Sequence, residues 1–299
     1  MIIPSKLTRG DKIGIISTAR KISLEELSPA INTLGSWGIE VVLAENLFEE
    51  DNQFAGAVKQ RTTDLQSMIN NDKIKAILCA RGGYGTVQII DNIDFTNLKK
   101  NPKWIVGYSD VTVLHSHLHN LGVASMHATM PKNFATNTKD ALKSLKKSLF
   151  REGTIVECDP HPFNKKGRIE AEIVGGNLSI LYSLLGSDSD IDTDGKILFM
   201  EDLDEYLYHI DRMIMNLKRN GKFENLKALI VGGMSDMNDN DIPFGKTAEQ
   251  IILEHTKDYD FPICFGFPTG HLNDNRTIVF GVKSLLEISA KKVRLTYPY

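Results

Sequence analysis

The chain has 299 residues, 41% hydrophobic and 24% charged, with a net charge of −3; that is room for two domains, each with its own buried core. The small negative balance, with Lys and Arg spread along the chain, excludes a nucleic-acid-binding stripe and a long-range pull on anionic partners. Three widely spaced cysteines, Cys79, Cys158 and Cys264, form no Cys-x-x-Cys pair, which argues against a disulfide framework or zinc site and for a reducing compartment. The N-terminal residues lack the pattern of a secretory signal, and no apolar run approaches the roughly 20 residues that span a bilayer. A cytoplasmic protein with no membrane partner is therefore expected.

The first half alternates strand and helix signals. Strands are predicted over 12–17, 40–43, 74–80, 104–108 and 123–126, and helices over 24–37, 59–70 and 110–120. Such alternation implies a parallel sheet with helices on both faces, with ligands beyond the carboxyl ends of its strands. Residues 151–167, which contain Gly153, Pro160 and Pro162 and no clear period, are expected to be a linker. The two domains are then 1–150 and 168–299. The second has strands predicted over 168–174, 196–200, 228–231, 263–265 and 277–281, a hairpin of 285–289 with 292–297, and helices over 206–219 and 246–255. It is expected to be mixed α/β and richer in antiparallel pairs.

Several motifs carry chemistry. In Gly107-Tyr108-Ser109-Asp110 an apolar strand runs into a Gly-x-Ser turn and then a helix. A serine there sits above the sheet edge, with the Asp110 N–H pointing the same way. The second glycine of the G-x-S-x-G elbow is missing, since position 111 is Val, and Ser109 or Asp110 as a plain helix N-cap is the competing reading. A serine nucleophile needs a base and an orienting acid. His271 lies on a loop leaving a strand, and Glu201 ends an apolar strand; each could equally face water. The Arg81-Gly82-Gly83-Tyr84-Gly85-Thr86 loop lets backbone approach a ligand and could supply a second oxyanion donor, or form an anion cradle. His115 and His119 share a helix face, but the glutamate of an HExxH metal site is absent. Asn177, after Gly175-Gly176, is a helix N-cap by default.

Taken together, RGGYGT at 81–86, VGYSDVT at 106–112, GGNL at 175–178, LFMED at 198–202 and PTGH at 268–271 resemble the LD-carboxypeptidase family of serine peptidases. That family includes murein tetrapeptide carboxypeptidases and the microcin C self-immunity group. The resemblance implies a flavodoxin-like N-terminal domain and a smaller C-terminal α/β domain, with the active site between them. By the same resemblance Ser109 is the nucleophile, His271 the general base and Glu201 its partner, and the Gly83 and Asp110 amides form the oxyanion hole. It further implies a homodimer, a small peptide substrate ending in D-alanine, and no metal or organic cofactor. A carboxypeptidase must hold a free carboxylate, for which Arg81 is the candidate, with loop bracing as its alternative; Asn177 is the other candidate to contact substrate. Ser17-Thr18-Ala19 and His127-Ala128-Thr129 stand where family members often have Ser-Pro-Ser and His-Gly-Pro, which bears on substrate choice. The rival readings are cleavage of microcin C-like adenylates, a non-enzymatic ligand-binding α/β protein, and a lipase-like esterase. The incomplete elbow and the missing HGGG loop count against the last.

Overall fold

Buried apolar runs and amphipathic segments alternate through the first half as their periodicities require. The computed structural model describes residues 1–298. In chain order the first half contains β1 (Lys12–Ile16), α1 (Leu24–Ser36), β2 (Glu40–Leu43), α2 (Val58–Asn70), β3 (Ile74–Cys79), α3 (Thr96–Lys100), β4 (Trp104–Gly107), α4 (Thr112–Asn120), β5 (Ser125–His127) and α5 (Lys139–Phe150). Ser23 starts α1 with a capping box: its hydroxyl accepts from the Glu26 N–H, and the Glu26 carboxylate accepts from the Ser23 N–H.

The second half contains β6 (Ile155–Cys158), β7 (Gly167–Asn177), α6 (Leu178–Ser183), β8 (Ile197–Leu203), α7 (Leu207–Arg219), β9 (Ala228–Ser235), α8 (Ala248–Thr256), β10 (Ile263–Cys264), β11 (Ile278–Phe280), β12 (Lys283–Ile288) and β13 (Val293–Thr296). The first sheet has the order β11-β5-β4-β3-β1-β2. Its strands β1 to β5 are parallel and doubly wound in the flavodoxin-like 2-1-3-4-5 order, with the topological switch between β1 and β3. The second sheet has the order β10-β9-β8-β7-β12-β13-β6. It is parallel from β10 to β7 and antiparallel from β7 to β6.

Two features cut across the expected division of the chain. Within 151–167, the segment expected to be a linker, β6 pairs with β13 and forms an edge of the second sheet. It is a four-residue strand between a glycine turn and two prolines, too short to show a period. And β11, from the second half, pairs antiparallel with β5 and closes the first sheet. One apolar core accordingly includes Ile15, Leu78 and Val106 of the first sheet together with Ile173, Phe199 and Ile230 of the second. A second core lies between the other face of the second sheet and α6, α7 and α8. Among the described residues no helix is long and apolar enough to cross a membrane.

Candidate active site

Strand β4 is wholly buried and ends at Gly107, where a Cβ would come within 2.8 Å of Val111 Cγ2. A side chain there would press on Val111, so glycine lets β4 pack directly against the turn that follows. Two residues later Ser109 has φ of 64°, the left-handed region that non-glycine residues avoid. One 3-10 turn over 109–111 leads into α4. Ser109 is thus a strained elbow residue rather than a helix N-cap, and such strain concentrates at functional sites.

The glycine loop after β3 packs against this elbow. A Cβ on Gly82 would lie 2.9 Å from Ser109 Cβ, 3.0 Å from its Oγ and 3.5 Å from the Asp110 nitrogen. Asp110 is 1% exposed, and its Oδ2 accepts the Thr86 N–H at 2.8 Å, which ties loop to elbow. Burial raises the Asp110 pKa against the opposing pull of Thr86 and Arg61. Neither the Gly83 nor the Asp110 amide N–H finds an acceptor among the described residues, so both remain available as donors.

Arg61 lies beneath the loop. It is 2% exposed, and its Nη1 donates to the carbonyls of Thr18 (2.8 Å) and Gly85 (3.0 Å) while Nη2 donates to Gln88 Oε1 (2.7 Å). No motif in the sequence marks this residue. Its one signal is an arginine four residues before Leu65, on the apolar face of α2; a charge on a buried stripe calls for a partner.

The second sheet supplies the acid and the base. Glu201 on β8 is fully buried, opposite Asn177 of β7, at a register shift between β8 and β9. Such irregularities re-aim side chains beside functional sites. Its Oε2 accepts two hydrogen bonds from His271: from the backbone N–H at 3.0 Å and from Nδ1 at 2.7 Å. Gly270 precedes His271 with φ of 117°, and its N–H donates to Asn275 Oδ1 at 2.9 Å. A Cβ on Gly270 would meet Glu201 Oε2 at 2.7 Å, so only glycine lets this loop approach so closely. Burial alone would lower the His271 pKa. The charge and hydrogen bond of Glu201, with the charge of Asp202, outweigh it, so the pKa stands above the ordinary histidine value.

The two halves meet at this place. The His271 ring stands edge-on to that of Tyr108, the residue before Ser109, with centroids 4.9 Å apart. The Asn177 N–H donates to Thr112 Oγ1, three residues after Ser109, at 3.0 Å. Ser109, Glu201, His271, Gly83 and Asp110 therefore lie in one region, with Glu201 and His271 directly bonded; no hydrogen bond joins the Ser109 hydroxyl to the imidazole.

The remaining candidates are differently placed. The Asn177 side chain is buried: its Oδ1 caps α6 through the Ile180 N–H, and its Nδ2 donates to Asp202. Asp202, pushed up to about 6 by burial and by the Glu201 charge, also accepts from Ser179 and Leu203. Arg81 donates to the Lys21 carbonyl at 2.9 Å and lies 4.0 Å from Glu26. His115 is buried between the Gly107 carbonyl and Ser125, and burial takes its pKa down to about 4. Among the described residues, no group of three or more His, Cys, Asp or Glu could hold a metal ion.

The sequence profile of the LD-carboxypeptidase N-terminal domain matches residues 13–128, and that of the LD-carboxypeptidase C-terminal domain matches residues 170–286. The chain is 34% identical to the probable murein peptide carboxypeptidase of Bacillus subtilis, over 96% of this chain and 92% of that protein. It is 23% identical to the microcin C7 self-immunity protein MccF of Escherichia coli, over 100% and 96% of the two chains. Among solved structures, the muramoyltetrapeptide carboxypeptidase from Oxalobacter formigenes superposes with a TM-score of 0.88 at 28% identity, covering 96% of this chain and 98% of that one.

Proposed function

The chain belongs to the LD-carboxypeptidase family, and from that premise we propose that it is a serine carboxypeptidase releasing D-alanine from the L,D-peptide bond of murein tetrapeptides, with Ser109 as nucleophile, His271 as general base and Glu201 as its orienting acid. The observation that carries the reading is the Glu201–His271 bond at 2.7 Å beside the Ser109 elbow. A carboxylate on Nδ1 holds the tautomer whose Nε2 is free to take a proton.

In the reaction His271 Nε2 removes the Ser109 hydroxyl proton as Oγ attacks the carbonyl carbon of the L-centre. The charge that develops on the carbonyl oxygen is received by the Gly83 and Asp110 N–H groups. One such donor contributes about 3 kcal/mol to lowering the barrier. The C–N bond breaks, and protonated His271 gives its proton to the amino group of the leaving D-alanine. Water, deprotonated by the same imidazole, then attacks the acyl-enzyme and restores Ser109.

Three unpaired thiols, two of them buried, support a cytoplasmic setting, where recycled wall peptides would be the substrate pool. The homodimer carried over from the family belongs to the same reading, and light scattering on the purified protein tests it. The activity is tested by mass spectrometry of digests of a murein tetrapeptide and of processed microcin C. The wild type releases D-alanine from the tetrapeptide, and Ser109→Ala stays folded and releases none. Undiminished release by Ser109→Ala would reject the nucleophile. Cleavage of the microcin alone would move the chain to the self-immunity activity.

A further inference from the structure

A peptidase that removes one C-terminal residue must recognise that residue's free carboxylate, so a carboxylate site here presupposes the carboxypeptidase activity proposed above. Two arginines flank the glycine loop, and they are placed differently. Arg81 is half-buried, held by the Lys21 carbonyl and facing Glu26, whose carboxylate also takes Lys132 at 2.9 Å. Its charge braces the start of α1. Arg20 is exposed, and its guanidinium has no hydrogen bond or ion pair among the described residues.

The Arg20 stem lies across Gly83: a Cβ there would be 2.6 Å from Arg20 Cγ, 2.7 Å from Cδ and 2.9 Å from Nε. The adjacent Gly82 faces Ser109, with 3.0 Å from its would-be Cβ to Oγ. Successive Cα atoms are about 3.8 Å apart, and one residue of an extended peptide spans about 3.3–3.6 Å. Ser109 and the Arg20 stem thus lie against neighbouring residues of one loop, and the carboxylate of a single leaving residue lies one residue beyond the scissile carbonyl.

The Arg20 backbone is held in place. Ala55 N–H donates to the Ala19 carbonyl at 3.0 Å, Lys21 N–H donates to the Gln53 carbonyl at 3.1 Å, and Arg20 bridges Phe54. It lies just past β1, and Gly83 just past β3, at the switch point of the sheet where ligands of doubly wound folds bind. An unpaired planar fork on a fixed backbone can take a carboxylate at both oxygens.

We propose that Arg20 binds the terminal carboxylate of the departing amino acid and thereby limits the enzyme to removing one residue at a time. The test compares kcat/KM of the wild type, Arg20→Ala, Arg20→Lys and Arg81→Ala on a murein tetrapeptide ending in D-alanine and on the same peptide ending in D-alaninamide. Arg20→Ala should lose about 10- to 100-fold on the acid, the range of a charged hydrogen bond, with no comparable loss on the amide. Arg20→Lys should recover part of the activity. The melting temperature of Arg20→Ala should match the wild type, because an exposed, unpartnered side chain is removed. Equal losses on acid and amide, no loss on the acid, or an acid-specific loss confined to Arg81→Ala overturns the assignment. A wild type inactive on every tetrapeptide sinks the underlying peptidase reading instead, and an active wild type keeps the two outcomes apart.

Discussion

One oxygen of Glu201 takes both the backbone N–H and Nδ1 of His271, so the same carboxylate positions the loop and fixes the ring. Glu201 is 0% exposed, and a charge held that deep acts strongly on the imidazole it faces. Since the His271 pKa is raised and the neutral imidazole is the working form, activity should fall with decreasing pH at a midpoint above the ordinary histidine value of about 6.5. Glu201→Gln removes the charge and permits the wrong tautomer. It should lower kcat by roughly 10³- to 10⁴-fold, judged from the equivalent change in a Ser-His-Asp triad, and move the acid limb of kcat/KM to lower pH. A pH–rate series on both proteins checks this, and an unmoved acid limb would count against His271 as the base. The sequence marks these residues by an apolar run that leads into Glu201, a loop after a strand that carries His271, and a strand that turns into a helix at Ser109, although β8 continues past Glu201 to Leu203. Gly82 against Ser109 and Arg20 across Gly83 are contacts between separate loops. No spacing encodes them, so the chain alone points to Arg81, the arginine inside the glycine motif.

At the scale of elements, the glycine loop, the elbow and α2 are joined by Arg61. Its guanidinium satisfies two buried carbonyls and a glutamine oxygen, stands 4.9 Å from the Phe54 ring centroid, and faces the Asp110 carboxyl by charge. A Cβ on Gly85 would touch its Nη1 at 2.6 Å, so loop and arginine are fitted to each other. Arg61→Ala leaves the Thr18 and Gly85 carbonyls buried without that donor, at about 1–3 kcal/mol for each unsatisfied group. We expect urea unfolding to show a loss of about 3 kcal/mol, with kcat falling because the Gly83 donor is no longer fixed. A midpoint unchanged from wild type would mean that the loop holds itself. Helices with an apolar period, such as α1 and α2, and buried strands with an unbroken apolar run, such as β1, β3 and β4, can be read directly from the chain. Helix α5 is absent from the predicted elements although Ala141, Leu145 and Leu149 are all buried at helical spacing, and β6 is hidden by its length and flanking prolines. The strand at β11 is legible, but its partner is not: Ile278–Phe280 carries nothing that distinguishes β5 from a neighbour in the second sheet.

The whole molecule depends on that last pairing. With β11 closing the first sheet and β6 and β13 extending the second, the chain crosses between the sheets more than once. Residues of both lie in one apolar core. The crossing is reinforced near the site: Thr138 N–H and Asn137 Nδ2 hold the Asn273 carbonyl at 2.9 and 2.8 Å, and Thr138 Oγ1 donates to Asp274 at 2.8 Å. Gly176 passes so close to α4 that a Cβ there would fall within 2.6 Å of Thr112 Cγ2. Two domains joined only by a flexible linker would unfold separately and could shift the imidazole relative to the elbow. Sheets that share a core and exchange a strand should unfold together. Both tryptophans, Trp37 and Trp104, lie in the first half, so fluorescence follows that half while far-ultraviolet circular dichroism follows both. We expect the two probes to give one coincident urea transition. A fluorescence midpoint apart from the dichroism midpoint, or a two-step dichroism curve, would show that the two sheets unfold separately, and then the geometry at Ser109 could no longer be credited to the joined fold.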